Sequence, residues 1–303
     1  MPFALRPVSI RATITGIFCM LAMAPLSAIA GSTGSSEVYP GSFEAAPPGV
    51  RIASVYLYKR KLEGFYLHGR RMGGSTIEGE ALVSALTAYG RTGDLTSSWS
   101  LVLPYLDGRR TAGVLPPGFG EKTAGFGELR LAYTVWPIND PSQGHFLAVS
   151  GTLMAPTGYY DHSQALNASD NRWKGTLQVG WVRYLSSTVA VELIPEVTVY
   201  GKNDDYVGFV MKQAPAAALS GFLRWKFAPG WETFAGFQAN GGGEQTIAGM
   251  KQDNEPRNQR VFLGASTALS PTMKLGLRYS RDASVRYELK ATNDIVTYLN
   301  WAF

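Results

Sequence analysis

His68, His145 and His162 are the only imidazoles in this 303-residue chain. A zinc site or an acyl-transfer triad needs such groups beside acids or beside one another. Only His162 has that company, with Asp161 before it and Ser163 after it. Consecutive side chains on an extended segment point to opposite sides, so the trio reads as loop polarity rather than as a hydrolase centre. Gly241-Gly242-Gly243 lacks the Lys-Ser/Thr pair and the following helix of a phosphate loop. The sequence therefore assigns no catalytic, cofactor-binding or metal-ligating residue, and no cofactor.

The remaining chemistry is carried by charges that recur at every second position. Glu192 and Glu196 share one face of an apolar run; Arg224 and Lys226 share one face of another, with Glu232 just beyond a Pro-Gly turn. Arg260, Lys274 and Arg278 repeat the pattern nearer the C-terminus, with Trp225, Phe227, Leu275 and Leu277 on the opposite parity. Period two with one apolar and one charged face marks strands that separate two environments. A charge facing lipid would cost about 2–4 kcal/mol near the midplane of a bilayer, so the charged face is expected to line a lumen. On that reading Lys226 lies opposite Glu232, with Arg224 one inward step further and within diagonal reach of Glu192 and Glu196, in a ladder across three strands whose pairs are partly hydrated and worth about 1 kcal/mol each. The ladder either stiffens the wall or makes a slightly cationic conduit.

Twelve strands are expected to position these groups. The first six are Val50–Lys59, Ile77–Tyr89, Ser97–Tyr105, Gly125–Trp136, His145–Ala155 and Arg172–Leu185. The others are Val189–Tyr200, Ala216–Phe227, Trp231–Asn240, Gln259–Leu269, Met273–Asp282 and Thr292–Phe303. The connections alternate between short turns, such as Ala228-Pro229-Gly230, and longer polar loops, such as Leu106–Ala124. Three-residue turns pair residues of the same parity, so Phe227 is expected opposite Trp231, Trp225 opposite Thr233, Leu223 opposite Ala235 and Leu269 opposite Met273. An even strand number, strands of about ten residues and this asymmetry predict an all-β, transmembrane, antiparallel up-and-down β-barrel. The last strand ends on Trp301 and Phe303, an outward aromatic pair expected to act as the assembly signal.

The N-terminus fits an outer-membrane destination. Arg6 and Arg11 precede the apolar run 14–26 and the small-residue site Ser27-Ala28-Ile29-Ala30, which predicts a cleaved signal peptide over residues 1–30. The one cysteine, Cys19, lies within that leader and has no lipid-attachment context. The Ser-, Gly- and Pro-rich residues 31–49 read as a flexible periplasmic lead-in, and 50–303 as the barrel. The formal charge of +5 falls to about +3 without the leader, too little to argue for nucleic acid. The expected partners are outer-membrane lipid, the barrel-assembly machinery and a small-molecule solute.

Several motifs in order along the chain carry a resemblance. They are Pro48-Gly49 before an aromatic strand, Gly125-Phe126-Gly127-Glu128, Pro156-Thr157-Gly158-Tyr159-Tyr160-Asp161 and Pro229-Gly230-Trp231. The chain resembles the outer-membrane transporter family associated with the meta-pathway of phenol degradation. That resemblance implies passage of small aromatic or hydrophobic/anionic compounds and fixes no substrate. Two other readings stay open: a lipid-modifying barrel enzyme, and a plugged structural or adhesive barrel. A bore of about twelve strands is narrow beside that of 16–18-stranded porins, which favours a selective or gated passage. The Leu106–Ala124 loop is expected to fold inward as a constriction.

Overall fold

The computed structural model describes residues 37–113, 121–164 and 166–303, so the leader lies outside the described residues. The chain enters the sheet through β1 (Arg51–Leu67), β2 (Arg70–Thr92) and β3 (Leu95–Ala112). Next come β4 (Lys122–Phe126), β5 (Leu129–Asp140), β6 (His145–Ala155), β7 (Lys174–Tyr184) and β8 (Val189–Tyr200). Two short strands, β9 (Asn203–Tyr206) and β10 (Phe209–Gln213), precede β11 (Ala216–Ala228) and β12 (Trp231–Gly242). Two more, β13 (Gln245–Ile247) and β14 (Met250–Lys251), precede β15 (Arg257–Ser270), β16 (Met273–Ser284) and β17 (Glu288–Ala302).

Each long strand pairs antiparallel with its neighbours in sequence, and β17 returns to pair with β1. The result is a closed twelve-stranded antiparallel barrel, to which β4 adds an extra segment against the outer part of β3. Closure removes both sheet edges, so no backbone N–H or C=O of the wall has to face hydrocarbon unpaired. Strands β9, β10, β13 and β14 form a separate four-stranded sheet in the outer loops, closed around Tyr206, Met211 and Ile247.

The two faces divide by chemistry. On β11, Leu223 and Trp225 are exposed while Phe222 and Arg224 are buried; on β8, Leu193 and Val197 are exposed while Glu192 and Ile194 are buried. Apolar side chains exposed over the outside and charges buried within are the inverse of a soluble fold, and they fit a lipid-facing wall. Trp301 and Phe303 stand exposed in that wall with ring centroids 5.2 Å apart. Three interior rings occupy the space beside glycines of a neighbouring strand: Tyr298 at Gly276, Phe222 at Gly236 and Phe234 at Gly264. A Cβ at any of these would overlap the ring, so the absent side chain is what lets the wall take large aromatics at a narrow radius.

The hairpins refine the expected registers. Trp225 pairs with Thr233 and Leu223 with Ala235, as parity predicts, but Ala228 rather than Phe227 faces Trp231 across a two-residue Pro229-Gly230 turn. Gly230 supplies the positive φ of 75° at that turn. The register shift between Trp225 and Ala228 is a bulge that breaks the ladder at Lys226. A similar shift pairs Ser270, not Leu269, with Met273.

Three expectations are corrected. Strand β1 does not stop at Lys59 but runs to Leu67, because Leu62 and Phe65 continue the apolar pattern and pair with β17. Most of the Leu106–Ala124 loop is strand: Leu106 pairs with Gly125 and Arg109 with Lys122, so this stretch extends the wall instead of folding into the bore. Residues 114–120 at its tip lie outside the described residues. Finally, residues 37–49 do not form a lead-in outside the barrel. They run inside it.

Candidate functional site

The N-terminal segment packs against the inner wall because it carries both apolar rings and acids. Val38 and Phe43 are buried with Trp136, Phe146, Val182 and Ile194 in one interior cluster. Phe43 rests on Gly180, where any Cβ would occupy the space of its ring, and the Phe43 carbonyl accepts from Trp136 Nε1 at 2.9 Å. Tyr39 packs among Tyr56 and Tyr298 at centroid distances of 4.8 and 5.4 Å, and its hydroxyl meets that of Tyr58 at 2.6 Å. The segment reaches the short-turn rim at Gly49, whose N–H donates to the Tyr89 carbonyl.

Two ion clusters hold it there. In the first, Glu37 accepts from Arg60 Nη2 at 2.9 Å and from Arg278 Nη2 at 2.6 Å. Asp294 accepts from the same Arg60 nitrogen at 2.8 Å, and Asp282 accepts from Arg260 Nε at 2.8 Å. The wall alone brings three arginines and two aspartates to this cluster, and Glu37 supplies the third acid. The Arg278 guanidinium also lies 4.4 Å from the Tyr39 ring and donates to the Val38 carbonyl at 3.2 Å. In the second cluster Arg224 contacts Glu44 of the segment, Glu192 at 2.7 Å and Glu232 at 2.8 Å. Glu192 also accepts from the Gly41 N–H at 2.9 Å, and Lys274 reaches Glu232 at 3.4 Å.

These contacts place each residue expected along the lumen. Arg224, Glu192, Glu232 and Lys274 come together; Arg260 and Arg278 join the first cluster. Glu196 is buried beside Gln178, whose amide donates to it at 2.7 Å. Lys226 is exposed at the rim and donates to the Tyr184 hydroxyl at 2.8 Å, rather than pairing with Glu232, because the bulge takes it out of register. The ladder is also buried rather than hydrated, with Arg224 4% and Glu192 1% exposed. Its pairs cannot be valued at the surface figure, because removing one partner strands the other in a dry site.

Sequence reasoning missed Glu37, Glu44, Arg60, Asp170 and Arg172. Arg60 sits in the run Lys59-Arg60-Lys61, which reads as a charged strand end; alternation instead turns Arg60 inward and its neighbours outward. Asp170 and Arg172 lie in an outer loop that folds over the wall, where Lys174 meets Asp170 at 2.9 Å and Glu128 at 3.2 Å, and Arg172 donates to Gln213.

Between the segment and the opposite wall lies a cavity of 410 Å³. The segment contributes Tyr39, Gly41 and Glu44 to it, while β1, β2, β3, β5 and β6 contribute most of the rest. Tyr56, Tyr89, Trp136 and Tyr298 bring rings, and Ser98, Ser100, Thr134 and Thr152 bring hydroxyls. Several hydroxyls pair across strands, as Thr87 with Ser100 at 2.8 Å and Thr134 with Ser150 at 2.8 Å. The barrel interior is thus divided: one sector is filled by the N-terminal segment and the ion clusters, whose Glu37, Glu44, Arg224 and Lys274 also edge the cavity, while the opposite wall is aromatic and hydroxyl-lined and carries Arg130.

The histidines do not assemble a centre. His162 Nδ1 lies 3.0 Å from Asp205, while the Asp161 carboxylate accepts from the Ser163 hydroxyl at 2.7 Å and from its N–H at 2.9 Å. Those two donors hold the Asp161 carboxyl below its ordinary pKa. His68 stacks edge-on against Tyr287 at the β1–β2 turn. Among the described residues no group of three or more His, Cys, Asp and Glu side chains is arranged to hold a metal ion.

Comparison with known proteins bears on this geometry. A sequence profile of the family described as "Putative MetA-pathway of phenol degradation" matches residues 66–293. The COG4313 outer membrane channel from Pseudomonas putida F1 superposes with a TM-score of 0.82 at 26% identity, over 88% of this chain and 100% of that one. The β domain of the Bordetella autotransporter BrkA (TM-score 0.52, 13% identity, 84% of this chain and 100% of that one) shares the fold. So does the translocator domain of NalP from Neisseria meningitidis (TM-score 0.51, 11% identity, 97% and 96%). No sequence among curated proteins matches the chain.

Proposed function

The chain belongs to the family described as "Putative MetA-pathway of phenol degradation", and from that premise we propose that it is an outer-membrane channel for small aromatic or hydrophobic/anionic compounds. Its lumen, on this reading, passes solutes through the sector beside the N-terminal segment. The observation that carries it is the 410 Å³ cavity, whose rings and hydroxyls suit compounds that are apolar on their faces and polar at one edge. The ion clusters have a supporting role. Their cations and acids largely offset one another, three against three in the first cluster and two against three in the second, and they fix the segment, so the passage is narrowed from one side.

In this account the protein performs no chemistry on the solute. Passage needs weak, repeated contacts, since tight binding would hold the solute in the bore. Stacking on the tyrosines and exchange among hydroxyls meet that need. The test is uptake at low external concentration in cells lacking the protein, compared with the same cells complemented. Faster uptake of phenol and benzoate with unchanged glucose uptake is expected on complementation; equal rates for all three would overturn the assignment.

One observation favours a second reading, a plugged structural barrel: the segment 37–49 is packed and ion-paired inside the bore. That reading predicts no solute flux even when the segment is loosened by substitution.

A further inference from the structure

Arg130 stands apart from the other interior cations. Arg60, Arg224, Arg260, Arg278, Lys174 and Lys274 each face a carboxylate within 4.0 Å. Arg130 takes part in none of the ion pairs found among the described residues, and its Nε is enclosed without a hydrogen-bond partner. Its cross-strand neighbours are Val102 on β3 and Met154 on β6, neither of which offers a side-chain oxygen. All three line the cavity that also holds Tyr56, Tyr89 and Trp136. A half-buried guanidinium among apolar neighbours gains most from an anion brought to it, and its planar fork suits a carboxylate.

We propose that Arg130 binds the carboxylate of a small aromatic monoacid in the lumen cavity, with the ring of the ligand against the tyrosine and tryptophan wall. One cation without an ion pair fits one negative charge; a phosphate ester or dianion would bring a second negative charge into a cavity that Glu37 and Glu44 also line. The Trp136 N–H is already spent on the Phe43 carbonyl, so this residue presents its ring face to a ligand rather than its donor. The cavity lies near the lower end of the roughly 300–1,000 Å³ range of small-molecule pockets, room for a single-ring acid beside water. The site would concentrate aromatic acids over neutral solutes of the same size. The inference rests on the lumen being the solute path and deepens it by naming the class of solute.

The test is calorimetric titration of the detergent-solubilised full protein with benzoate, benzyl alcohol and acetate. The parent protein, Arg130→Gln and Arg130→Lys are compared, each shown to be folded by heat-modifiable migration. Benzoate should bind saturably and tighter than acetate. Arg130→Gln should weaken benzoate roughly ten- to a hundredfold and leave benzyl alcohol unchanged, and Arg130→Lys should fall between. The proposal is overturned if Arg130→Gln binds benzoate as the parent does, if acetate binds as tightly as benzoate, or if the parent shows no saturable benzoate binding. Uptake of phenol by cells separates this from the channel assignment. A failed titration with phenol uptake intact removes the Arg130 site alone, whereas loss of the uptake difference removes both.

Discussion

Replacing Glu37 by glutamine should loosen the N-terminal segment without unfolding the barrel. Among the described residues the Glu37 carboxylate is the one acid in direct contact with Arg278, which is fully buried, and it shares Arg60 with Asp294. The isosteric amide keeps the shape and removes the charge. Arg60 retains Asp294, but Arg278 is left with a neutral amide oxygen in place of the carboxylate, the Val38 carbonyl and Tyr39 ring of the segment, and the Phe262 ring of the wall. Breaking one partner of a buried pair costs about 3–5 kcal/mol, and those residual contacts put the expectation at the lower end. About 3 kcal/mol is roughly two decades in the ratio of seated to withdrawn segment, at 1.4 kcal/mol per decade. The wall loses no strand pairing, and a withdrawn segment lets water reach Arg278, so the cost is relieved by release of the segment. Planar-bilayer recording is the direct assay. Glu37→Gln should show larger and longer openings than the parent, with unchanged heat-modifiable migration. Identical mean current and gating in the two proteins would refute the reasoning that the Glu37 charge pins the segment.

Two further substitutions probe other links. Gly180→Ala places a methyl in the space of the Phe43 ring and should raise open-channel current as Glu37→Gln does. Gly175→Ala, a substitution whose Cβ would meet only Val199 Cγ2 at 3.5 Å, should leave the current unchanged; equal effects of the two would show that the Phe43 contact is not what matters. Deleting Phe303 removes the aromatic partner of Trp301 and the two backbone hydrogen bonds that close the last residue onto Arg51. Folded barrel recovered from outer membranes should fall severalfold, and wild-type recovery of the heat-modifiable form would contradict the assembly role of this pair.

What the sequence disclosed follows from physics that leaves a local trace. Strands β6 and β8 end where alternation predicts, at His145–Ala155 and Val189–Tyr200, because lipid on one side and lumen on the other impose period two residue by residue. The same trace placed Arg224, Glu192 and Glu232 on the inner face. It fails where backbone geometry decides: the bulges before Ala228 and Ser270 shift pairing by an amount that parity does not encode, and Lys226 loses its expected partner as a result. It also fails for the segment 37–49, which has no repeat of its own. Glu37 and Arg278 are 241 residues apart in the chain, and only closure of the barrel brings them within 2.6 Å. A cluster assembled from such distances is invisible to any window along the sequence, although an acid-bearing aromatic stretch ahead of the first strand is the one clue it leaves.

On the proposed function, solutes pass through the sector between the N-terminal segment and the hydroxyl-lined wall. Ser100 lines that cavity, whereas Leu101 is 47% exposed on the outer face one residue on. The one native cysteine, Cys19, falls within the expected leader, so an introduced thiol is the only one to label in the processed chain. Single-channel current is to be recorded through Ser100→Cys and Leu101→Cys before and after a small, water-soluble, negatively charged thiol reagent. Modification at position 100 is predicted to cut the current sharply, while Leu101→Cys conducts as before. Complete modification of Ser100→Cys, verified by mass, with undiminished current would contradict the account.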